Sequence, residues 1–160
     1  MSVRRTLGRA FAPGLAALLV AGAALAAEPA LPTTEETLVE TFRSAIDTHD
    51  YATFERMVFW KDAGKIKKRI VAFQIRRGLG RKVKDLTVQP FDQHALDEML
   101  ADGRLSLNLP VSHTVRIVYD EPVLEKTGKP PTSVFLVGRK DEEFRIALVV
   151  RNPAFEDDDD

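Results

Sequence analysis

The sequence predicts an α+β fold with segregated layers, and two observations predict it. Apolar residues recur at helical spacing from residue 34 to about residue 77, and from residue 83 onward the period changes to two. Helices followed by hairpin-linked strands, with no internal repeat, imply three N-terminal helices packed on a curved antiparallel sheet of four to five strands. A chain of 160 residues, 44% hydrophobic and 29% charged, fits one domain and excludes wholesale disorder and collagen.

Residues 1–26 read as an address. Arg4, Arg5 and Arg9 precede an uncharged apolar run from Phe11 to Leu25, and Ala24-Leu25-Ala26 presents the small-x-small pattern of a cleavage site, so a secretory signal peptide is expected. The run is shorter than the ~20 residues a membrane span needs, and Pro13 and Gly14 interrupt it. Arg4-Arg5 leaves the general and twin-arginine routes both open. Cleavage after Ala26 removes three arginines and no acid, which leaves 134 residues at net charge −4 in place of −1. The mature chain is expected to be exported to the periplasm or the exterior, soluble and without a membrane span. It has no cysteine, which excludes disulfides, thiol catalysis and thiolate metal sites. It does not need disulfides, since a chain of this length buries roughly two-thirds of its unfolded surface.

The elements follow in order. Residues 27–33 are an extended leader. Thr33 with Glu36 three residues on is a capping-box signature, and Leu38, Phe42, Ala45 and Ile46 then mark one face of a helix over 34–48. Asp50 caps a second, short helix with Tyr51, Phe54, Met57 and Val58 on its buried side. A third helix is expected from about Asp62 to Arg77, ending at Gly78 or Gly80. Its apolar residues fall on two opposed faces, Ile66, Ile70 and Phe73 on one and Val71, Ile75 and Leu79 on the other, which is the pattern of a helix sandwiched between two partners. Residues 83–91 alternate as a strand, and 92–104 are polar, with one helical turn ending at Gly103. Leu105, Leu107, Leu109 and Val111 alternate with polar residues, Pro110 marking an edge or bulge. Strands are expected at 113–120, 133–140 and 143–150, the last two joined by a tight turn at 140–142. Phe144, Ile146, Leu148 and Val150 should face inward, and Arg145 and Arg151 outward.

Charge is concentrated along the chain. Residues 27–60 carry seven acids and two bases, residues 61–84 ten bases and one acid, and residues 85–160 eight bases and sixteen acids. Five of those acids are Glu156 to Asp160, so residues 153–160 read as an acidic disordered tail, because self-repulsion opposes packing.

The order of elements carries a resemblance. The break Ala45-Ile46-Asp47-Thr48-His49-Asp50-Tyr51, the strand from His113 to Asp120, and Val137-Gly138-Arg139-Lys140-Asp141-Glu142-Glu143-Phe144 at the final hairpin resemble the nuclear-transport-factor-2-like superfamily, the α+β cone of ketosteroid isomerase-like and SnoaL-like proteins, over about residues 34–151. The resemblance implies a cone whose open end makes a pocket for an apolar small molecule. It implies no single activity, because that scaffold hosts enzymes, binding proteins and dimerisation modules. The aspartate base and the tyrosine–acid pair of ketosteroid isomerase-like enzymes have no matching set in this chain.

Several side chains are candidates for chemistry. His49 beside Asp50 is either a general base with an orienting carboxylate or a histidine at a helix C-terminus meeting its last carbonyls. His113 and Tyr119 share the face of Val115 and Ile117, which makes them pocket residues if that face lines the cone. Trp60 and Tyr51 form, with Phe59, an aromatic cluster at the hinge between the second and third helices. Lys65, Arg69 and Arg76 lie on one helical stripe suited to phosphates of lipids, polyanions or an acidic partner, or to solvent. His94 lies in a polar stretch and is expected to be exposed. Ser44, Ser106, Ser112 and Ser133 lie in no Gly-x-Ser-x-Gly elbow. Gly78-Leu79-Gly80 ends a helix and does not open one, which argues against a nucleotide fingerprint. The scattered histidines imply no metal site, no cofactor is implied, and nucleic acid is disfavoured because no aromatics interleave with the bases.

These features predict a non-catalytic domain that binds an apolar small molecule or self-associates as a homodimer. The alternatives are an acid–base isomerase, dehydratase or cyclase, and a module docking an anionic envelope component through residues 61–84. If the acidic tail folds onto the basic stripe at low salt, deleting residues 156–160 strengthens salt-sensitive retention on an anionic resin. Unchanged retention contradicts that contact.

Overall fold

The computed structural model of the protein describes residues 30–155. The expected signal peptide (residues 1–26), residues 27–29 of the expected leader and the acids Glu156 to Asp160 lie outside the described residues.

The helices form where the spacing places them, with ends set by local hydrogen bonding. α1 (Glu35–Asp47) is capped by Thr34 and not by Thr33. The Thr34 hydroxyl accepts from the Thr37 N–H at 3.2 Å, and the Thr37 hydroxyl accepts from the Thr34 N–H at 3.1 Å, so Thr37 takes the reciprocal place expected of Glu36. Leu38, Phe42, Ala45 and Ile46 are buried. The helix ends with His49 in the left-handed region at φ 58. The His49 N–H donates to the Ile46 carbonyl at 3.3 Å and the Asp50 N–H to that of Ala45 at 2.8 Å, a Schellman ending in which histidine stands where glycine is usual. α2 (Tyr51–Met57) is capped by Asp50, whose carboxylate accepts from the Thr53 N–H and hydroxyl. α3 (Lys65–Gly78) starts three residues later than expected, because Asp62 adopts φ 60 and Gly64 takes the N-cap.

The strands form a four-stranded antiparallel sheet and a separate pair. The sheet runs β1 (Val83–Pro90), β3 (Val111–Tyr119), β4 (Thr132–Lys140), β5 (Glu143–Ala147), in that spatial order. Between β1 and β2, a 3₁₀ turn (Gln93–Leu96) runs into a short fourth helix, α4 (Asp97–Leu100). β2 (Leu105–Leu107) pairs with β6 (Val149–Arg151) as a second, two-stranded sheet. The expected single strand over 143–150 is therefore two strands broken at Leu148. The alternation survives the break because Phe144, Ile146, Leu148 and Val150 are all buried, although they serve two sheets. Arg151 is exposed as expected, but Arg145 is half-buried, donating to the Arg56 carbonyl at 2.9 Å and to the Glu143 carboxylate at 2.8 Å.

Aromatic rings fill the space between helices and sheet. Phe42 meets Phe54 edge-on at 5.0 Å and Phe135 at 5.2 Å between centroids. Val115, Ile117 and Val137 of the sheet and Leu38, Ile46 and Met57 of the helices close around them, all fully buried. The opposite sheet face is partly covered by the segment entering β3, where Leu109 and Val111 pack with Ala147 and, at the rim, Phe59 and Leu136. That segment crosses β4 so closely that a Cβ at Gly138 would collide with the Pro110 carbonyl oxygen, and glycine is required there.

Asn108 joins these parts. Its side-chain amide donates to the carbonyls of Phe59 and of Lys61, the latter at 2.9 Å, and its side-chain oxygen accepts from the Leu148 N–H at 2.8 Å. The Asn108 N–H also donates to the Leu148 carbonyl at 3.0 Å. Replacing Asn108 by alanine leaves the buried Leu148 N–H and the half-buried Phe59 carbonyl without that partner, while the exposed Lys61 carbonyl turns to water, so Asn108→Ala should lose about 1–3 kcal/mol of stability in urea unfolding followed by Trp60 fluorescence. A loss under about 0.5 kcal/mol, ordinary for a surface change, contradicts this role.

Candidate functional site

A groove of about 380 Å³ lies between α2 and α3, lined by Tyr51, Glu55, Trp60, Lys68, Arg69 and Ala72. Its aromatic wall follows from α2 and the turn after it. Tyr51 opens α2, and Glu55 lies one turn on, so the phenol reaches the Glu55 carboxylate at 3.4 Å. Trp60 folds back and donates its indole N–H to the Glu55 carbonyl at 3.0 Å. Burial first, then the negative Glu55, holds the Tyr51 phenol above its usual pKa, and Arg76 opposes this from 4.4 Å over the ring.

The basic wall follows from α3. The helix carries Lys65, Lys67, Lys68, Arg69, Arg76 and Arg77 and no acid. Lys65, Arg69 and Arg76 share one exposed face, as their spacing predicts. Among the described residues, Lys65, Lys68 and Arg69 make no ion pair, hydrogen bond or ring contact. This arrangement works against the helix. Lysines in the first turn oppose the helix dipole, and Lys65 with Arg69 is a like-charged pair one turn apart.

Of the sequence-predicted residues, the structure brings Tyr51, Trp60 and Arg69 together in the groove, sets Arg76 over the Tyr51 ring and Lys65 on the same helix face, and places His49, His113 and Tyr119 elsewhere. The Asp50 carboxylate is turned to Thr53 and away from the role of orienting His49. Asp50 is committed to the α2 cap, and His49 is held in the left-handed turn with Gly80 packed against its ring. His113 and Tyr119 do face the core side of β3, but at opposite ends of it, about 20 Å apart at the rise of an extended strand. Tyr119 is fully buried, its hydroxyl 3.1 Å from that of Ser133 and its ring covered by Arg81 at 3.7 Å. His113 lies edge-on to Phe144, its two ring nitrogens 2.8 Å from the Ser112 hydroxyl and 3.2 Å from the Glu35 carboxylate. This serine–histidine–acid chain has the atoms of a charge relay, but Glu35 is 61% exposed and Ser112 is exposed, so water competes at both ends. The chain fastens the start of α1 to β3. His94 is exposed and pairs with Asp97 at 2.7 Å.

Sequence reasoning missed Glu55 as the centre of the aromatic wall, although its position four residues after Tyr51 on an exposed helix face was the available signal. The Glu35–His113 contact, 78 positions apart in sequence, left no such signal. Among the described residues, no group of three or more His, Asp or Glu side chains is placed to hold a metal ion. The chain matches no protein-family model, no curated protein and no solved structure.

The cap beneath the groove makes a pH-dependent prediction. The Thr53 hydroxyl, with the Thr53 N–H second, holds the Asp50 carboxyl below its ordinary pKa. A depressed carboxylate stabilises the fold above its unfolded pKa of about 3.9, and that stabilisation is lost as pH falls through the lower folded value. Thr53→Val should therefore shift acid unfolding to higher pH and cost about 1 kcal/mol at neutral pH. Acid unfolding at the parent's pH contradicts the assignment.

Proposed function

We propose that the protein is a non-catalytic docking module, exported by its N-terminal segment, that binds an anionic component of the cell envelope through the basic face of α3. The observation that carries this reading is the set of unpaired cations at Lys65, Lys68 and Arg69 on a helix with no acid of its own. Cations placed against the helix dipole and against each other cost helix stability, and an external anion repays that cost.

Other features support docking over an interior ligand. The space between helices and sheet is occupied by Phe42, Phe54 and Phe135. His113 and Tyr119 spend their polar atoms on Ser112, Glu35 and Ser133. On this reading the body is a cone-type scaffold of the nuclear-transport-factor-2-like kind, in which the third helix, and not the interior, carries the function. The helix order and the β3–β4–β5 meander support that kinship.

The test is retention on immobilised heparin across a salt gradient. The parent should bind with a steep salt dependence, and charge reversal of Lys65, Arg69 and Arg76 together should weaken it about tenfold or more without changing the circular dichroism. Retention of the folded triple variant at the parent's salt concentration overturns the proposal.

A further inference from the structure

The basic face of α3 borders an apolar stripe that the core leaves uncovered. Ile66 is 75% exposed, Ile70 47% and Phe73 61%. Val71 and Ile75, on the opposite side of the helix, are the residues that anchor it to the body. At 3.6 residues per turn, Ile66, Ile70 and Phe73 form one line. Lys65, Arg69 and Arg76 border it on one side and Lys67 on the other, and Arg77 lies 5.8 Å over the Phe73 ring. The sequence pattern of two apolar faces is thus met by a partner on one side only.

We infer that this stripe is a membrane-docking surface whose occupant is a bilayer containing anionic phospholipid, with α3 lying in the plane of the interface. The inference rests on the docking reading above and specifies its partner. Charge complementarity selects the bilayer. Cations flanking an apolar line match anionic headgroups above an acyl layer, with Ile66, Ile70 and Phe73 entering the boundary and the bases remaining among the phosphates. A second copy of the chain is disfavoured, because apposing two such faces brings five cations against five. The groove adjoins the basic face through Arg69, which lines it. Tyr51 and Trp60 stand beside Lys68 and Arg69, and both are residue types that favour headgroup depth.

The sole tryptophan, Trp60, lines that groove and reports the encounter. The experiment measures binding of the protein to phosphatidylcholine vesicles with and without about one-third phosphatidylglycerol, by co-sedimentation and Trp60 emission. The expected result is binding to the anionic vesicles alone, with a blue shift. Ile66→Ser with Phe73→Ser, both at exposed positions, should weaken that binding about tenfold while leaving heparin retention at the parent's level. Full vesicle binding by the serine variant overturns the inference, since docking is then by charge alone. Heparin retention without vesicle binding also overturns it and leaves the docking function standing, whereas loss of both removes the two together. Concentration-dependent dimerisation that the serine pair abolishes overturns it in favour of a second copy.

Discussion

One asparagine holds the architecture of the site in place. The segment between α2 and α3 has no ladder of its own, yet it must deliver Trp60 to the groove and start α3 at the right place. Asn108 donates to two carbonyls of that segment and accepts from the strand break at Leu148, so one side chain joins the hinge, the entry to β3 and the junction between the two sheets. Each bonded group is a backbone atom that would otherwise need water or a different partner. The Phe59 N–H completes the contact by donating to the Ile146 carbonyl at 2.9 Å, which also covers part of the β5 edge.

The outward apolar face of α3 is a consequence of how the interior is filled. Three phenylalanine rings, with Met57 and Ile46 in the same core cluster, fill the centre of the interior. Room remains for Val71 and Ile75 and for little else from α3. A helix packed on one side of a core buries only one of two opposed faces, so with Val71 and Ile75 turned inward, Ile66, Ile70 and Phe73 are left outside. The uncovered stripe is therefore fixed by the core, whatever meets it from outside.

The layer order, the first three helices and most strands are legible in the sequence because burial imposes periodicity, and periodicity survives in a single chain. What it leaves out is identity of partner. Alternation through Phe144 to Val150 reports four buried residues and is silent about the change of sheet at Leu148. Two adjacent threonines, Thr33 and Thr34, offer the same cap, and only the observed hydrogen bonds choose between them. The start of α3 shifts because an aspartate enters the left-handed region, which composition does not announce. In the site, the stripe of Lys65, Arg69 and Arg76 and the hinge aromatics are readable from spacing. The exposure of Ile66, Ile70 and Phe73 is not, since an apolar residue facing a partner and one facing the core look alike in sequence.

The far end of α3 is keyed as firmly as its start. A Cβ at Gly78 would lie 2.8 Å from the Tyr119 hydroxyl, Gly80 packs on the His49 ring, and the Gly80 N–H donates to the Ile46 carbonyl at 2.8 Å. Just beyond, Arg81 and Lys82 pair with Glu121 and Asp120, at 2.6 Å each. A rod clamped at both ends loses little freedom when something settles along it, so the ordering entropy that a loose basic helix surrenders on contact has here been spent during folding. The fixed angle between that rod and the sheet also makes the molecule a bracket: whatever surface α3 lies against, the strands above it stand at one inclination.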